Sequence, residues 1–151
     1  MENRSVRNMW GDFLDAHVEF ALAEAPEVIQ FFDNENDADR HTALVLNRIK
    51  TATTFSLLGI QNRKERLPKT GTFLVVVDGR ANAKCVVRIT SSILKPWFSI
   101  TEEYAKLDGF DNLSLWKTAY WNFFIKELSL YDRDPKESMI VVCVSFEKVY
   151  G

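Results

Sequence analysis

Val6, Met9, Trp10, Phe13, Ala16, His17 and Phe20 recur at spacings of three and four residues, with Asp12, Asp15 and Glu19 set between them. That rhythm predicts an amphipathic helix over about residues 4–24, stopped by Pro26. An acidic stretch from Asp33 to Asp39 leads into a second helix, which carries Ala38, Ala43, Leu44 and Leu46 and ends near Ile49. Residues 59–71 read as a polar loop. The texture then changes to β: Thr72-Phe73-Leu74-Val75-Val76-Val77 is a strand, Asp78-Gly79 a hairpin signal, and Cys85 to Thr90 the returning strand. Pro96 and Trp97 mark the end of this β region. Asn112 is placed to cap a long helix from Leu113 to about Leu130, with Leu115, Trp116, Ala119, Tyr120, Phe123, Phe124 and Leu128 on its apolar side. Met139 to Tyr150 reads as a final strand. Two helices, a hairpin, two more helices and a last strand predict an α+β domain around a small sheet or barrel.

Composition fits one compact domain over residues 1–151, with 46% hydrophobic residues, 26% charged and few Gly or Pro. After Met1-Glu2-Asn3-Arg4 comes an amphipathic stretch rather than an apolar signal core, and no window approaches the roughly 18 apolar residues of a membrane span. Cys85 and Cys143 each lie in an apolar β-like run, which allows a disulfide but favours two buried thiols in a reducing cytoplasm. With only His17 and His41, no CxxC pair and no HExxH, no protein-built metal site or other cofactor is expected.

Charge changes the picture more than composition does. The net charge is −2, but residues 1–39 carry −8, residues 40–95 carry +9 and residues 96–151 carry −3. Such asymmetry is expected of a basic working face on an acidic body, or of acidic helices that pair with the basic segment on folding.

The basic segment begins at Lys50-Thr51-Ala52-Thr53-Thr54. A lysine beside hydroxyls at a helix–strand junction can hold a phosphate or carbonyl, or, when desolvated, act as base for a threonine nucleophile. It can equally be a lysine that complements a helix C-terminus, followed by β-prone threonines.

After this segment come Leu67-Pro68-Lys69-Thr70-Gly71, a strand ending in Asp78-Gly79, and a second strand through Cys85 and Arg88. Glu102-Glu103-Tyr104-Ala105, Asp111 to Trp116 and a closing Val-Val-Cys segment follow. In this order the chain resembles the bacterial ASCH proteins over nearly its whole length. The resemblance implies a PUA-like β-barrel flanked by helices, with a cleft beside Lys50. It further implies RNA or a nucleoside as partner, since family members are described as RNA binders, as a ribonuclease and as an amidohydrolase of 4-acetylcytidine. Carried over onto matching positions, the amidohydrolase residues are Lys50 as base, Thr53 as nucleophile and Asp108 as the orienting carboxylate. Three positions depart from the pattern: Arg48 replaces a glycine, Asp108 a glutamate, and Tyr120 a histidine. The shorter acid and the non-titrating tyrosine weigh toward binding or an altered substrate rather than a conserved reaction.

Three functions follow as expectations. In a binding module, Lys50, Arg63, Lys64, Arg66 and Lys69 meet phosphates while Thr51 and Thr53 hydrogen-bond a base or ribose. In a small hydrolase, Lys50, Thr53 and Asp108 act together on RNA or a modified nucleoside. In a protein-interaction domain, Trp10 and Phe13 are exposed on the first helix.

Overall fold

The computed structural model describes residues 3–151; Met1 and Glu2, read above as part of a chain start without an apolar leader, lie outside them. Helix α1 (Arg4–Ala16) is followed by a 3-10 turn, strand β1 (Glu27–Gln30), helix α2 (Glu35–Leu46), strand β2 (Ala52–Ser56) and helix α3 (Leu57–Asn62). Strands β3 (Phe73–Val77) and β4 (Ala83–Pro96) come next, then helices α4 (Glu102–Leu107) and α5 (Leu113–Ser129) and strand β5 (Ile140–Tyr150). The strands form one curled half-barrel sheet in the order β1-β3-β4-β5-β2, the fold expected of a PUA-like domain. Only β1 against β3 is parallel; the other neighbours are antiparallel. Register shifts at Val86/Val87 and Ile89/Ser91 bend the long β4, which lets β5 pair along nearly all of it.

Alternation along β3 and β4 serves two cores. Phe73, Val75, Val77 and Val86 face α1, where Val6, Trp10 and Phe13 are buried against them. Leu74, Val76, Cys85, Val87 and Ile89 turn inward with Val142, Val144 and Phe146. A third cluster packs Trp116, Tyr120, Phe124 and Leu128 of α5 on Val141 and Cys143 of β5. Burial of Trp10 and Phe13, whose rings stack at 5.3 Å and lean on Phe73, removes them as an exposed docking face. Both cysteines are buried free thiols, and burial pushes the Cys85 thiol up to about 11. Among the described residues, no helix is long and apolar enough to cross a membrane.

Several boundaries differ from the sequence reading. α1 ends at Ala16 because His17 leaves helical geometry at φ −136, and Phe20 reaches the core from the following 3-10 turn. The expected loop over 59–71 gives its first residues to α3, capped by the Ser56 hydroxyl on the Gly59 amide.

The end of α2 carries a strained residue. Arg48 amide bonds to Val45 carbonyl and Ile49 amide to Leu44 carbonyl, a Schellman motif whose left-handed position is Arg48 at φ 60. A non-glycine residue there costs roughly 1 kcal/mol, and the Arg48 guanidinium gains only an exposed bond to Lys148 carbonyl. Arg48→Gly is therefore expected to raise the unfolding free energy by about 1 kcal/mol in urea titration.

Candidate functional site

Two helix C-termini meet at the site. Beyond the α2 motif the Lys50 amide still bonds to Leu44 carbonyl, and the next amide, Thr51, bonds to Leu107 carbonyl at the end of α4. Asp108 is the C-cap of α4 and Gly109 its left-handed residue, with Gly109 amide on Lys106 carbonyl and Phe110 amide on Ala105 carbonyl. A side chain at Gly109 would be strained at φ +92 and would crowd Leu44 at 3.1 Å. Both junctions thus have fixed backbones, and they aim Lys50 and Asp108 at each other.

Lys50 Nζ donates to the Asp108 carboxylate at Oδ1 and, at 2.7 Å, to the Asp108 backbone carbonyl. Its third direction faces the Phe31 ring, 4.9 Å from the centroid. The lysine does complement a helix C-terminus, but that of α4 rather than its own. Asp108 Oδ1 also accepts from Tyr120 hydroxyl at 2.9 Å; Oδ2 accepts from Thr54 hydroxyl at 2.8 Å and Trp116 indole at 2.9 Å. Four donors fill the acceptor capacity of a carboxylate. Trp116 and Tyr120 stand one turn apart on α5, so one helix face supplies two of the four.

Lys50 is 1% exposed and Asp108 0%. Burial is the largest influence on both, pushing the lysine down and the aspartate up, and their mutual attraction opposes it on each side. Burial also raises the Tyr120 and Tyr104 phenols well above their ordinary range, so both remain protonated donors.

Thr53 is 4% exposed and is not bonded to Lys50. Its hydroxyl lies 3.4 Å from Tyr120 hydroxyl, whose own proton goes to Asp108, so Thr53 is the donor in that contact. Thr54, which the sequence reading left without a role, holds the place beside Asp108. Tyr104 hydroxyl lies 2.9 Å from both Thr54 hydroxyl and Thr53 carbonyl and ties β2 to α4. Thr51 is half-buried, its amide and carbonyl engaged by Leu107 and Phe146. The structure therefore brings Lys50 and Asp108 into direct contact and places Thr53 one hydroxyl away, through Tyr120.

The basic residues lie apart from this cluster. Arg63 caps α3 and pairs with Glu65 at 2.8 Å and Glu127 at 3.0 Å. Lys64 occupies the left-handed position after α3, and Lys64, Arg66 and Lys69 are exposed with no ion pair among the described residues. Glu127, which pairs with Arg63, is seven residues along α5 from Tyr120, about 10 Å of helix rise. Among the described residues, no group of His, Cys, Asp and Glu is assembled to hold a metal ion.

Sequence reasoning missed Thr54, Tyr104 and Trp116 as partners of the site. Trp116 was visible as part of the aromatic stripe on α5, but a core position and an indole donor look alike in sequence. His41 was also overlooked. It is 1% exposed and neighbours the lysine, and its Nδ1 is a buried polar atom without a hydrogen-bond partner.

Two outcomes are expected. Lys50→Met should cost about 3–5 kcal/mol of unfolding free energy in urea, the cost of stranding one buried charge. Asp108→Leu should cost more, because it strands the ammonium together with the Thr54, Trp116 and Tyr120 donors. The second concerns His41, whose imidazole is pushed down to about 3, first by burial and then by the charges of Lys50 and Arg40. Between about pH 6.5 and 3 the unfolded chain binds the extra proton, so this contribution is full above that window and declines as pH falls through it. Urea titrations across the window should show the decline, and His41→Leu should flatten it.

Residues 27–150 match the ASCH domain family. The chain is similar to a crystallised protein of Enterococcus faecalis, at 32% identity and a TM-score of 0.89, over 97% of this chain and 89% of that one. It is also similar to an ASCH domain from Lactobacillus crispatus, at 23% identity and a TM-score of 0.92, over 99% and 96% of the two chains. That second likeness bears on the fold alone. Among curated proteins none matches the sequence. With the family matched over most of the chain, on a curled sheet of the same form, this protein belongs to the ASCH domain family.

Proposed function

We propose that this ASCH domain binds RNA or a nucleoside, with the phosphates met by the basic loop after α3 and the Lys50–Asp108 cluster as the fixed floor behind the binding face. The observation that carries the reading is the set of exposed cations Lys64, Arg66 and Lys69 on one short loop, without an ion pair among the described residues. Three other basic residues of the same segment are engaged by acids: Arg80 with Glu35, Lys84 with Asp78, Lys50 with Asp108. Charge left unpaired after folding is charge available to phosphates. The fold family, often linked to RNA, supports the same reading.

Hydrolysis through Lys50, Thr53 and Asp108 is the second reading, favoured by a desolvated lysine beside hydroxyls and a carboxylate. It asks Lys50 to give up one of two hydrogen bonds to Asp108, and Thr53 to turn from Tyr120 toward it. Binding needs neither rearrangement and is therefore preferred.

Affinity for a short single-stranded RNA, followed by fluorescence anisotropy, should fall as salt rises. Three phosphate contacts correspond to a log–log slope near −2, from about 0.7 per contact on a single strand. Alanine at Lys64, Arg66 and Lys69 together should bring the slope toward zero without loss of fold. Salt-independent binding, or no binding to any RNA or nucleoside, would remove the proposal. Chromatography after incubation with 4-acetylcytidine and short RNAs separates the two readings. Turnover that survives in wild type and vanishes in Thr53→Val would transfer the case to the hydrolase.

A further inference from the structure

β4 runs for 14 residues, but its two edges are not covered alike. β5 pairs with it from Val86 to Pro96, whereas β3 pairs only from Ala83 to Arg88. Thr72 carbonyl and Gly71 amide extend that cover by one residue, bonding to the amide and carbonyl of Ile89. Past the bulge at Ile89/Ser91, no strand among the described residues pairs with residues 91–96 on the side away from β5.

The register fixes which backbone groups point to that open edge. Trp97 amide donates to Met139 carbonyl at 2.8 Å, and Lys95, Ile93 and Ser91 stand opposite Val141, Cys143 and Ser145. Residues two apart on a strand send their hydrogen bonds the same way, so these three turn N–H and C=O toward β5. A second bond leads to the same parity. Phe146 amide donates to Thr51 carbonyl at 2.9 Å, so Val144 and Val142 face β2 and leave Ser145, Cys143 and Val141 to β4. Ser92 and Leu94 therefore direct their N–H and C=O away from β5, into the open edge.

Apolar side chains flank these groups. Ile93 is 50% exposed and Leu94 51%, and Phe98, in the turn that follows, is 66% exposed. Lys95 is the one charged residue in the segment. Free main-chain donors and acceptors beside bare apolar side chains are what a strand edge uses to recruit another strand. The edge is also bounded. The bulge closes one end, and at the other Pro96 has no N–H and its carbonyl accepts from Ser99 hydroxyl at 2.8 Å.

Those two ends select the occupant. An antiparallel copy of the same edge uses every free group in one register, with the two-fold axis at Ile93. Ser92 then faces Leu94 of the second copy and Leu94 faces its Ser92, and each pair exchanges two hydrogen bonds. An axis at Ser92 would set Leu94 against Thr90 at the bulge, and an axis at Leu94 would set Ser92 against Pro96. The axis at Ile93 also brings the two isoleucines together in the close, non-hydrogen-bonded position and sets Lys95 opposite Ser91 rather than a second lysine.

We infer that residues 91–96 of β4 form a homodimer interface, through which two copies join their sheets edge to edge about a two-fold axis at Ile93. The occupant is a second copy of this chain, because it alone brings a matching edge with the same two end stops. Bounded ends make the contact closed, so pairing stops at two chains instead of growing into a fibre. The interface is short, and the dimer should dissociate on dilution. It lies apart from the basic loop and does not depend on the RNA-binding reading.

Sedimentation of the full chain across a dilution series should show masses moving between one chain and two. Ile93→Lys, which sets two cations across the axis, should weaken the dimer by about tenfold or more, and Ile93→Asp likewise. An equimolar mixture of the two variants should recover a mixed dimer that neither forms alone. Ile93→Cys should cross-link two chains on mild oxidation, while Lys95→Cys, opposite Ser91, should not. A chain that stays monomeric at every concentration would overturn the inference. A dimer that Ile93→Lys leaves unchanged, or that cross-links through Lys95→Cys in preference to Ile93→Cys, would overturn it equally, by placing the contact elsewhere or in another register.

Discussion

A lysine and an aspartate held out of water are tolerable only if each finds all its partners at once. The Lys50–Asp108 pair meets that demand, and much of the local architecture follows from it. The ammonium has a carboxylate oxygen, a backbone carbonyl and an aromatic face. The carboxylate has four donors from three segments: the α2–β2 junction, β2 and α5. None of those segments can shift alone without stranding a polar group. The two left-handed helix ends, the tie from Thr51 to Leu107 and the one-turn spacing of Trp116 and Tyr120 all hold that geometry. A pair so enclosed is weak evidence for added stability, since apolar packing could supply as much. What it supplies is a unique arrangement of the helices against the sheet around the pair.

The charge map resolves in two ways at once. The acidic segment over residues 1–39 does pair with the basic segment on folding: Glu35 holds Arg80, and Asp39 accepts from Gly79 amide. It does not reach the loop after α3. There Arg63 is paired with Glu65 and Glu127, while the next three cations face solvent. Folding thus neutralises part of the basic segment and leaves three cations of this loop in solvent. Net charge alone, at −2, hides this.

How much could be read from the sequence depends on the distance over which each feature acts. The long amphipathic segments were legible, because α1 and α5 show their faces in their own spacing and Asn112 caps where it should. The β3–β4 hairpin was legible from its apolar runs and Asp78-Gly79. β1 was not: Glu27–Gln30 is four residues long, and its parallel pairing with β3 leaves no local mark. α3 was hidden by Gly59, a poor helix former, which belongs there because a Cβ would collide with Ser56 and Glu127 side chains. The site divides the same way. Lys50 and Thr53 stood out as a motif and Asp108 came from family resemblance, but Thr54, Tyr104 and Trp116 enter through contacts across 8 to 54 residues. Nothing local announces such partners.

The three positions at which the resemblance implies other residues, Arg48, Asp108 and Tyr120, look different once placed in the fold. Arg48 does not stand between backbone and ligand; it occupies a helix-ending position whose left-handed geometry favours glycine, and its cost is strain. Asp108 is shorter than a glutamate, yet it loses no contact with Lys50. The lysine reaches both its side chain and its main chain, because Asp108 is itself the cap of α4. With the acid drawn back toward the backbone, its remaining oxygen sites must be met from the opposite side. Tyr120 does this with a hydroxyl that a histidine ring at the same position would not carry to the same point. The phenol's proton is held firmly, since burial raises it far from neutrality. Asp108 and Tyr120 are thus one hydrogen-bonded unit, the phenol meeting the carboxylate from the side opposite Lys50. Every proton of the cluster is directed to a neighbour, which makes Lys50, Thr54, Asp108, Trp116 and Tyr120 one interlocked unit of the fold.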